Sequence, residues 1–169
     1  MGTMSRGVVF IHSAPAALCP HIEWALGAVL GAPANLSWTP QPALSGTMRA
    51  EYSWEGPVGT SAALTSALRS CQRARFEVTE DASLTQQGQR YAFTPDLGIF
   101  HANTGPHGDI QVSEQRLRTV LATASNDPDG QGSLADELNR LLGEPWDAEL
   151  EVFRYAGEDT PVRWLHRVG

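Results

Sequence analysis

The segment RGVVFIHSAPAALCPHIEWAL, residues 6–26, opens the pattern that decides the fold. Residues 6–12 are almost continuously apolar and rich in β-branched side chains, which is typical of a strand buried on both faces. From Pro20 to Leu30 apolar residues recur at helical spacing, and Gly31 follows the last turn. The segment therefore predicts a buried strand that leads into a helix with one apolar face.

The alternation of strands and helices continues to residue 80. Residues 35–39 and 47–54 alternate between apolar and polar side chains, residues 61–71 carry a second apolar helical face, and residues 75–80 alternate again. This order is the split βαβ arrangement of ferredoxin-like folds. We predict an α+β fold with a ferredoxin-like βαββαβ unit over residues 6–80, in which an antiparallel sheet carries two helices on one face.

Residues 81–169 are predicted to extend this unit within a single domain of residues 1–169. Their pattern indicates further strands, then three C-terminal helices, and a last strand at residues 161–168. A chain of 169 residues buries enough surface to need no disulfide or metal for stability. The second half is therefore expected to pack on the first.

The charge composition excludes several classes of function. All 12 basic side chains are arginines, so chemistry that needs a lysine amine is excluded, including Schiff bases and a Walker-type phosphate loop. A net charge of −7 with dispersed arginines offers no basic face, so no nucleic-acid partner is expected. No apolar run is long enough to span a bilayer. We predict a soluble cytoplasmic protein without a membrane partner, with Cys19 and Cys71 as free thiols.

The turn after the first strand carries the candidate site residues His12, Ser13, Cys19 and His21. A cysteine at a helix N-terminus is expected to have a lowered thiol pKa, which favours the nucleophilic thiolate. The alternative, which we favour, is that Cys19 packs as a small apolar side chain. No cofactor is predicted.

Topology widens this candidate site, because two antiparallel helices bring Cys71 to the same end of the sheet. One interpretation is an enzyme with Cys19 as nucleophile and His12 or His21 as base. A less favoured one is a zinc site of His12, Cys19, His21 and Cys71, since the spacing lacks the paired signature of zinc ligands.

Two further features of the strands and helices concern binding. Trp24 lies about 170° around the first helix from its apolar face, so it either faces a partner or is covered by the second half of the chain. The polar strand residues form the second feature and are predicted to be solvent-facing charge pairs rather than a binding surface: Arg49, Glu51, Arg75 and Glu77.

Three segments resemble a known family: residues 6–26 quoted above, FEVTED at 76–81, and YAGEDTPVRWLHRV at 155–168. Together they are similar to an actinobacterial family of uncharacterised proteins, a domain of unknown function. The resemblance spans the whole chain and implies a GC-rich actinobacterial source, which accounts for the missing lysine. It implies no catalytic residue.

The sequence assigns no activity, and two hypotheses follow. The first is a non-catalytic module that binds a small molecule or a protein partner, with a regulatory role among its uses, through His12, Ser13, Cys19, His21 and Trp24. The alternative is the small thiol or histidine enzyme, or zinc-dependent protein, that uses the segment from His12 to His21. A homo-oligomer is left open.

Overall fold

The structure is a computed structural model that describes residues 2–126 and 133–156. Within these residues the chain forms seven strands and five helices, and a short 3-10 turn at Ala16–Leu18 joins the first strand to the first helix. In chain order the elements are β1 Met4–Pro15, α1 Cys19–Leu30, β2 Thr39–Pro40, β3 Thr47–Pro57, α2 Thr60–Leu68, β4 Arg75–Glu80, β5 Gly88–Thr94, β6 Gly98–Thr104, β7 Ile110–Gln111, α3 Glu114–Ser125, α4 Leu134–Leu141 and α5 Glu144–Arg154. The last strand predicted at residues 161–168 lies outside the described residues.

All seven strands belong to one sheet in the order β2-β3-β1-β4-β5-β6-β7. Every neighbouring pair runs antiparallel. The chain is therefore a mixed α/β protein with a seven-stranded antiparallel sheet and five helices in its described part. Among those residues, no helix has the length and apolar character needed to cross a membrane.

The sheet has two differently covered faces. We call the first the α1/α2 face, because Ile22 and Leu26 of α1 and Leu64 and Leu68 of α2 pack there in the main core. The core side chains that the strands contribute to it include Val9, Ile11, Phe76 and Val78. The opposite face we call the α5 face, since Trp146 and Leu150 of α5 pack there against three side chains of β5 and β6: Ala92, Phe100 and Ala102.

A β-bulge interrupts the regular alternation of β1 at His12 and Ser13. Ile11 pairs with Phe76 of β4, and the next pair joins Ser13 to Arg75, so two residues of β1 oppose one step of β4. Such a bulge turns neighbouring side chains toward the same face. Both side chains consequently make their polar contacts on the α5 face, where Arg75 donates to Ser13 Oγ at 3.3 Å and lies over the ring of Phe153 in α5.

The strand predicted at residues 35–39 is wrong over most of its length. Only Thr39–Pro40 forms a strand, and it pairs with Arg49 and Met48. Leu36 is buried in the main core without belonging to a strand, and its backbone N–H donates to Glu23 Oε1 at 3.0 Å. The Glu23 side chain of α1 therefore accepts the hydrogen bond that a neighbouring strand would otherwise accept. An alternating sequence pattern does not reveal such a contact.

Candidate functional site

A buried carboxylate on β4 organises the polar part of the α5 face. Glu77 is 7% exposed, and its Oε2 lies 2.7 Å from His12 Nε2 and accepts from Arg154 Nε at 3.1 Å. Its Oε1 accepts from Arg90 Nη2 at 2.9 Å and also from Arg154. Asp147 of α5 accepts from the same two arginines at 2.6 and 2.9 Å. We call these five residues the Glu77 cluster.

The electrostatics of the cluster fix the charge of Glu77. Burial by itself raises the pKa of this carboxyl, but the hydrogen bonds from His12 and Arg154 and their positive charges outweigh burial. The pKa of Glu77 is therefore held well below its usual range. Burial lowers the pKa of Arg154, yet its bonds to Glu77 and Asp147 raise it overall. Glu77 and Arg154 are thus both charged at neutral pH.

The charge of Glu77 also decides which nitrogen of His12 carries a proton. An ionised carboxylate can only accept hydrogen bonds. His12 Nε2 must therefore be the donor in its 2.7 Å contact with Glu77. In the neutral ring Nδ1 is then an acceptor, held at a fixed orientation by a buried carboxylate.

A cavity of about 400 Å³ opens beside the cluster, within the range of small-molecule sites. The rings of Phe10 and His12 lie in its wall with their planes 2° apart and their centroids 6.0 Å apart. Arg49 and Glu51 of β3 line it as well, and residues two apart on a strand share a face. The cavity thus combines two stacked aromatic rings with side chains of both charges.

The structure brings one of the five predicted ligand-binding residues, His12, to this cavity. Ser13 is fully buried, and its hydroxyl is taken by Arg75. Cys19, His21 and Trp24 all lie on α1, which packs on the other face of the sheet. Strand alternation separates His12 from them, because His12 shares a face with Phe10 and lies opposite the core residues Val9 and Ile11.

Cys19 lies at the start of α1 but lacks the exposure and the lowered pKa of an activated thiol. It is 8% exposed and lies 3.8 Å from the Pro15 carbonyl oxygen, to which it donates. Burial raises the pKa of the Cys19 thiol, and the negative charge of Glu23 raises it further. The lowering expected from the helix N-terminus is therefore outweighed, and the geometry agrees with the packing interpretation of this cysteine.

The four residues considered for zinc do not converge. Cys71 lies in the main core, while His12 is bound to Glu77 on the opposite face. His21 is exposed and stacks on Trp24, with 5.9 Å between the ring centroids. In the part of the chain that the structure describes, no group of three or more histidine, cysteine, aspartate or glutamate side chains could hold a metal ion.

Sequence reasoning missed four of the five members of the cluster. Glu77 was predicted to face solvent, because strand alternation places it opposite the core residues Phe76 and Val78. The alternation is correct, but α5 covers that face and supplies Asp147 and Arg154. The available signal was the run of acids and one arginine on α5, which matches the charges of the strand face it covers.

The stability of the fold is expected to fall in acid. Folding lowers the pKa of the Glu77 carboxyl, so its ionised form stabilises the fold at pH values above its ordinary pKa of 4.5. This stabilisation is lost as the pH falls below that value. Glu80 adds to the effect: burial raises its pKa, but bonds from Ser61 and the Gly59 amide lower it overall.

Urea unfolding between about pH 7 and about pH 3 tests this expectation. The free energy of unfolding should drop below about pH 4.5, and the drop should be smaller in a Glu77→Gln variant, which has no carboxyl to protonate at that position. An equally steep drop in both proteins would contradict the role given to Glu77.

Comparison with known proteins places the chain in a family. Residues 8–167 match the family described as "Protein of unknown function (DUF3145)". No curated protein and no solved structure matches the chain. Because the match covers nearly every residue from the first strand onward, the chain belongs to this family of proteins of unknown function, DUF3145.

Proposed function

We propose that the chain is a non-catalytic binding module whose ligand is a small organic acid with a planar ring, held in the cavity beside the Glu77 cluster. The observation that carries this proposal is the combination, in about 400 Å³, of the parallel Phe10 and His12 rings with the Arg49 guanidinium. An aromatic side chain stacks favourably with a planar ring. A guanidinium binds a carboxylate or phosphate through paired hydrogen bonds.

Arg49 is the cationic group that supports an acidic ligand, and the cavity wall also carries one exposed carboxylate, Glu51. Glu77 is neutralised by Arg90 and Arg154 inside the cluster, so its negative charge is compensated before any ligand binds. Arg49 donates through Nη1 to the Ala156 carbonyl oxygen at 3.0 Å, which holds the side chain in place and uses one of several N–H donors. A guanidinium fixed in this way loses little conformational freedom when an anion binds.

We also propose a ferredoxin-like unit, a cytoplasmic location and an actinobacterial source for the chain. The strand order β2-β3-β1-β4, its antiparallel pairs and the packing of α1 and α2 on one face support a ferredoxin-like unit over residues 6–80. The free thiols of Cys19 and Cys71 support a cytoplasmic location. The resemblance of residues 6–26, with the absence of lysine, supports an actinobacterial source.

A thermal-shift screen of aromatic carboxylates and phosphates, followed by calorimetric titration of each compound that shifts the melting temperature, tests the binding site. Arg49→Gln is expected to weaken binding about 10-fold or more, because a hydrogen-bonded charge contact is lost. The matched control is Arg69→Gln, an exposed arginine beside α2 on the other face of the sheet. Unchanged affinity in Arg49→Gln, or an equal loss in both variants, would refute the site.

Catalysis by His12 is the second candidate function, and the contact with Glu77 favours it. In a general base of this kind, a buried carboxylate orients the histidine ring through one nitrogen and leaves the other nitrogen for the substrate. Glu77 orients His12 in this way, and the His12 side chain lines the cavity. Mass spectrometry of the ligand recovered after incubation separates the two candidates. An unchanged compound supports binding alone, whereas a product formed by the natural chain and absent with His12→Gln supports catalysis.

A further inference from the structure

The sheet has a free edge along most of β3. Only Met48 and Arg49 pair with β2, so residues 50–57 have β1 on one side and, among the residues that the structure describes, no strand on the other. Unpaired N–H and C=O groups along such an edge are a template for a further strand. The edge is about 26 Å long and therefore has room for an eighth strand of ordinary length.

The described part of the chain ends beside the start of this edge. After α5 the chain reaches β3, where the Ala156 carbonyl oxygen accepts from Arg49 Nη1 at 3.0 Å. Residues 157–169 follow, and they include the last strand predicted from the sequence, residues 161–168, which we call the C-terminal segment. The family match extends to residue 167, so the segment is part of the domain that this family has in common. A strand needs a neighbour to satisfy its backbone groups, and the free edge of β3 begins next to Arg49.

The two sides of the C-terminal segment match the two sides of this edge. β3 alternates between apolar side chains that pack on the main core and exposed polar ones on the α5 face: Ala50, Tyr52 and Trp54 against Glu51, Ser53 and Glu55. The segment alternates between a mainly apolar side and a side with both of its arginines: Val162, Trp164, His166 and Val168 against Arg163, Leu165 and Arg167. The two glutamates and the two arginines are each four positions apart, which is about 13 Å in a strand. The acidic side of β3 and the basic side of the segment therefore have the same charge spacing.

From these matches we infer that the C-terminal segment adds to the edge of β3 as an eighth strand, parallel to β3, with its two arginines beside Glu51 and Glu55. Chain length decides the direction. An antiparallel strand along the whole edge would begin beside Pro57, about 26 Å from Arg49, where the described chain ends. The few residues between the end of the described chain and the start of the segment span at most about 18 Å. The segment therefore starts at the near end of the edge and runs toward Pro57.

Backbone hydrogen bonds and apolar packing hold the eighth strand, and the charges select its position. The parallel direction brings Trp164 next to Tyr52, which packs against the main core. Exposed ion pairs contribute little stability of their own, but like charges on neighbouring strands are unfavourable. Arg163 also compensates Glu51, the exposed carboxylate in the cavity wall. The added strand removes a free edge at which another chain could otherwise pair.

Hydrogen exchange of the whole natural chain, followed by mass spectrometry, tests the eighth strand. Amides of the C-terminal segment should exchange at least about 10-fold more slowly than in an isolated peptide of residues 157–169, because strand pairing protects them. In the reversed variant, Arg163→Glu/Arg167→Glu, the neighbouring sides carry like charges, so exchange should return to the rate of the peptide. Circular dichroism confirms that each variant is folded before its exchange is compared.

A second pair of substitutions shows where the segment binds. Adding Glu51→Arg/Glu55→Arg to the reversed variant restores opposite charges between the two strands, so slow exchange should return. The matched control adds Asp96→Arg/Asp136→Arg instead, at two exposed acids outside β3, and should leave the exchange fast. Fast exchange in the natural chain, slow exchange that persists in the reversed variant, or an equal effect of the two added pairs would overturn the inference.

Discussion

Replacing Glu77 with glutamine is expected to lower the free energy of unfolding by about 3 kcal/mol or more. The carboxylate accepts from His12, Arg90 and Arg154, and the side chains of the two arginines are only 17% and 22% exposed. Glutamine keeps the shape but loses the negative charge and one acceptor oxygen, so two largely buried guanidinium groups are left undercompensated. The loss is a large part of a typical total stability of about 5 to 15 kcal/mol.

Urea unfolding at about pH 7 measures this loss. Glu51→Gln is the matched control, since Glu51 lines the same cavity but is exposed, and its replacement should change stability by less than about 0.5 kcal/mol. If Glu77→Gln is too unstable to study, Asp147→Asn provides a milder form of the test, because Asp147 shares the same arginines but is 38% exposed. Equal stability of Glu77→Gln and Glu51→Gln would show that the cluster does not hold the fold together.

Gly7→Ala is expected to destabilise the sheet by about 3 kcal/mol or more. A Cβ atom at position 7 would lie 1.8 Å from the Thr79 carbonyl oxygen and 2.8 Å from Cζ2 of Trp54. The first of these atoms belongs to the backbone of β4, so a side-chain rotation cannot relieve the overlap. The two strands would have to separate where the Val8 amide donates to Thr79 Oγ1 at 3.2 Å.

The control for this substitution is Gly2→Ala, because no atom lies within 4 Å of the Cβ position there. Thermal and urea unfolding of the two variants should differ clearly, with Gly2→Ala close to the natural chain. An alanine tolerated at position 7 as well as at position 2 would mean that β1 and β4 are further apart than the structure shows.

Most of the secondary structure could be predicted because it depends on residues that are close in sequence. The apolar run at residues 6–12 lies within β1, and the helical spacing from Pro20 to Leu30 matches α1 to within one residue. Ser113 and Ser133 begin α3 and α4 as N-caps and accept the backbone N–H groups of Arg116 and Asp136, three residues along the chain. In each case, residues close together in the sequence specify the element.

The candidate site was predictable only in part. His12 was singled out because it ends the first strand, and the structure places it in the cavity wall. Its partner Glu77 was assigned to solvent, since alternation distinguishes the two faces of a strand without showing what covers the second one. The pKa of the Cys19 thiol is raised, because burial and the charge of Glu23 together outweigh a hydrogen bond from the backbone.

The sequence by itself determined the α+β class, the order of the elements and the membership of an uncharacterised family. All three follow from local periodicity and from motifs along the chain. The tertiary structure alone decided the site. His12 and Glu77 are 65 positions apart, and Glu77 and Arg154 are 77 apart. They meet because strand alternation places His12 on the α5 face, opposite Val9 and Ile11, and because α5 packs there. Packing between distant elements leaves no periodic signal in the sequence.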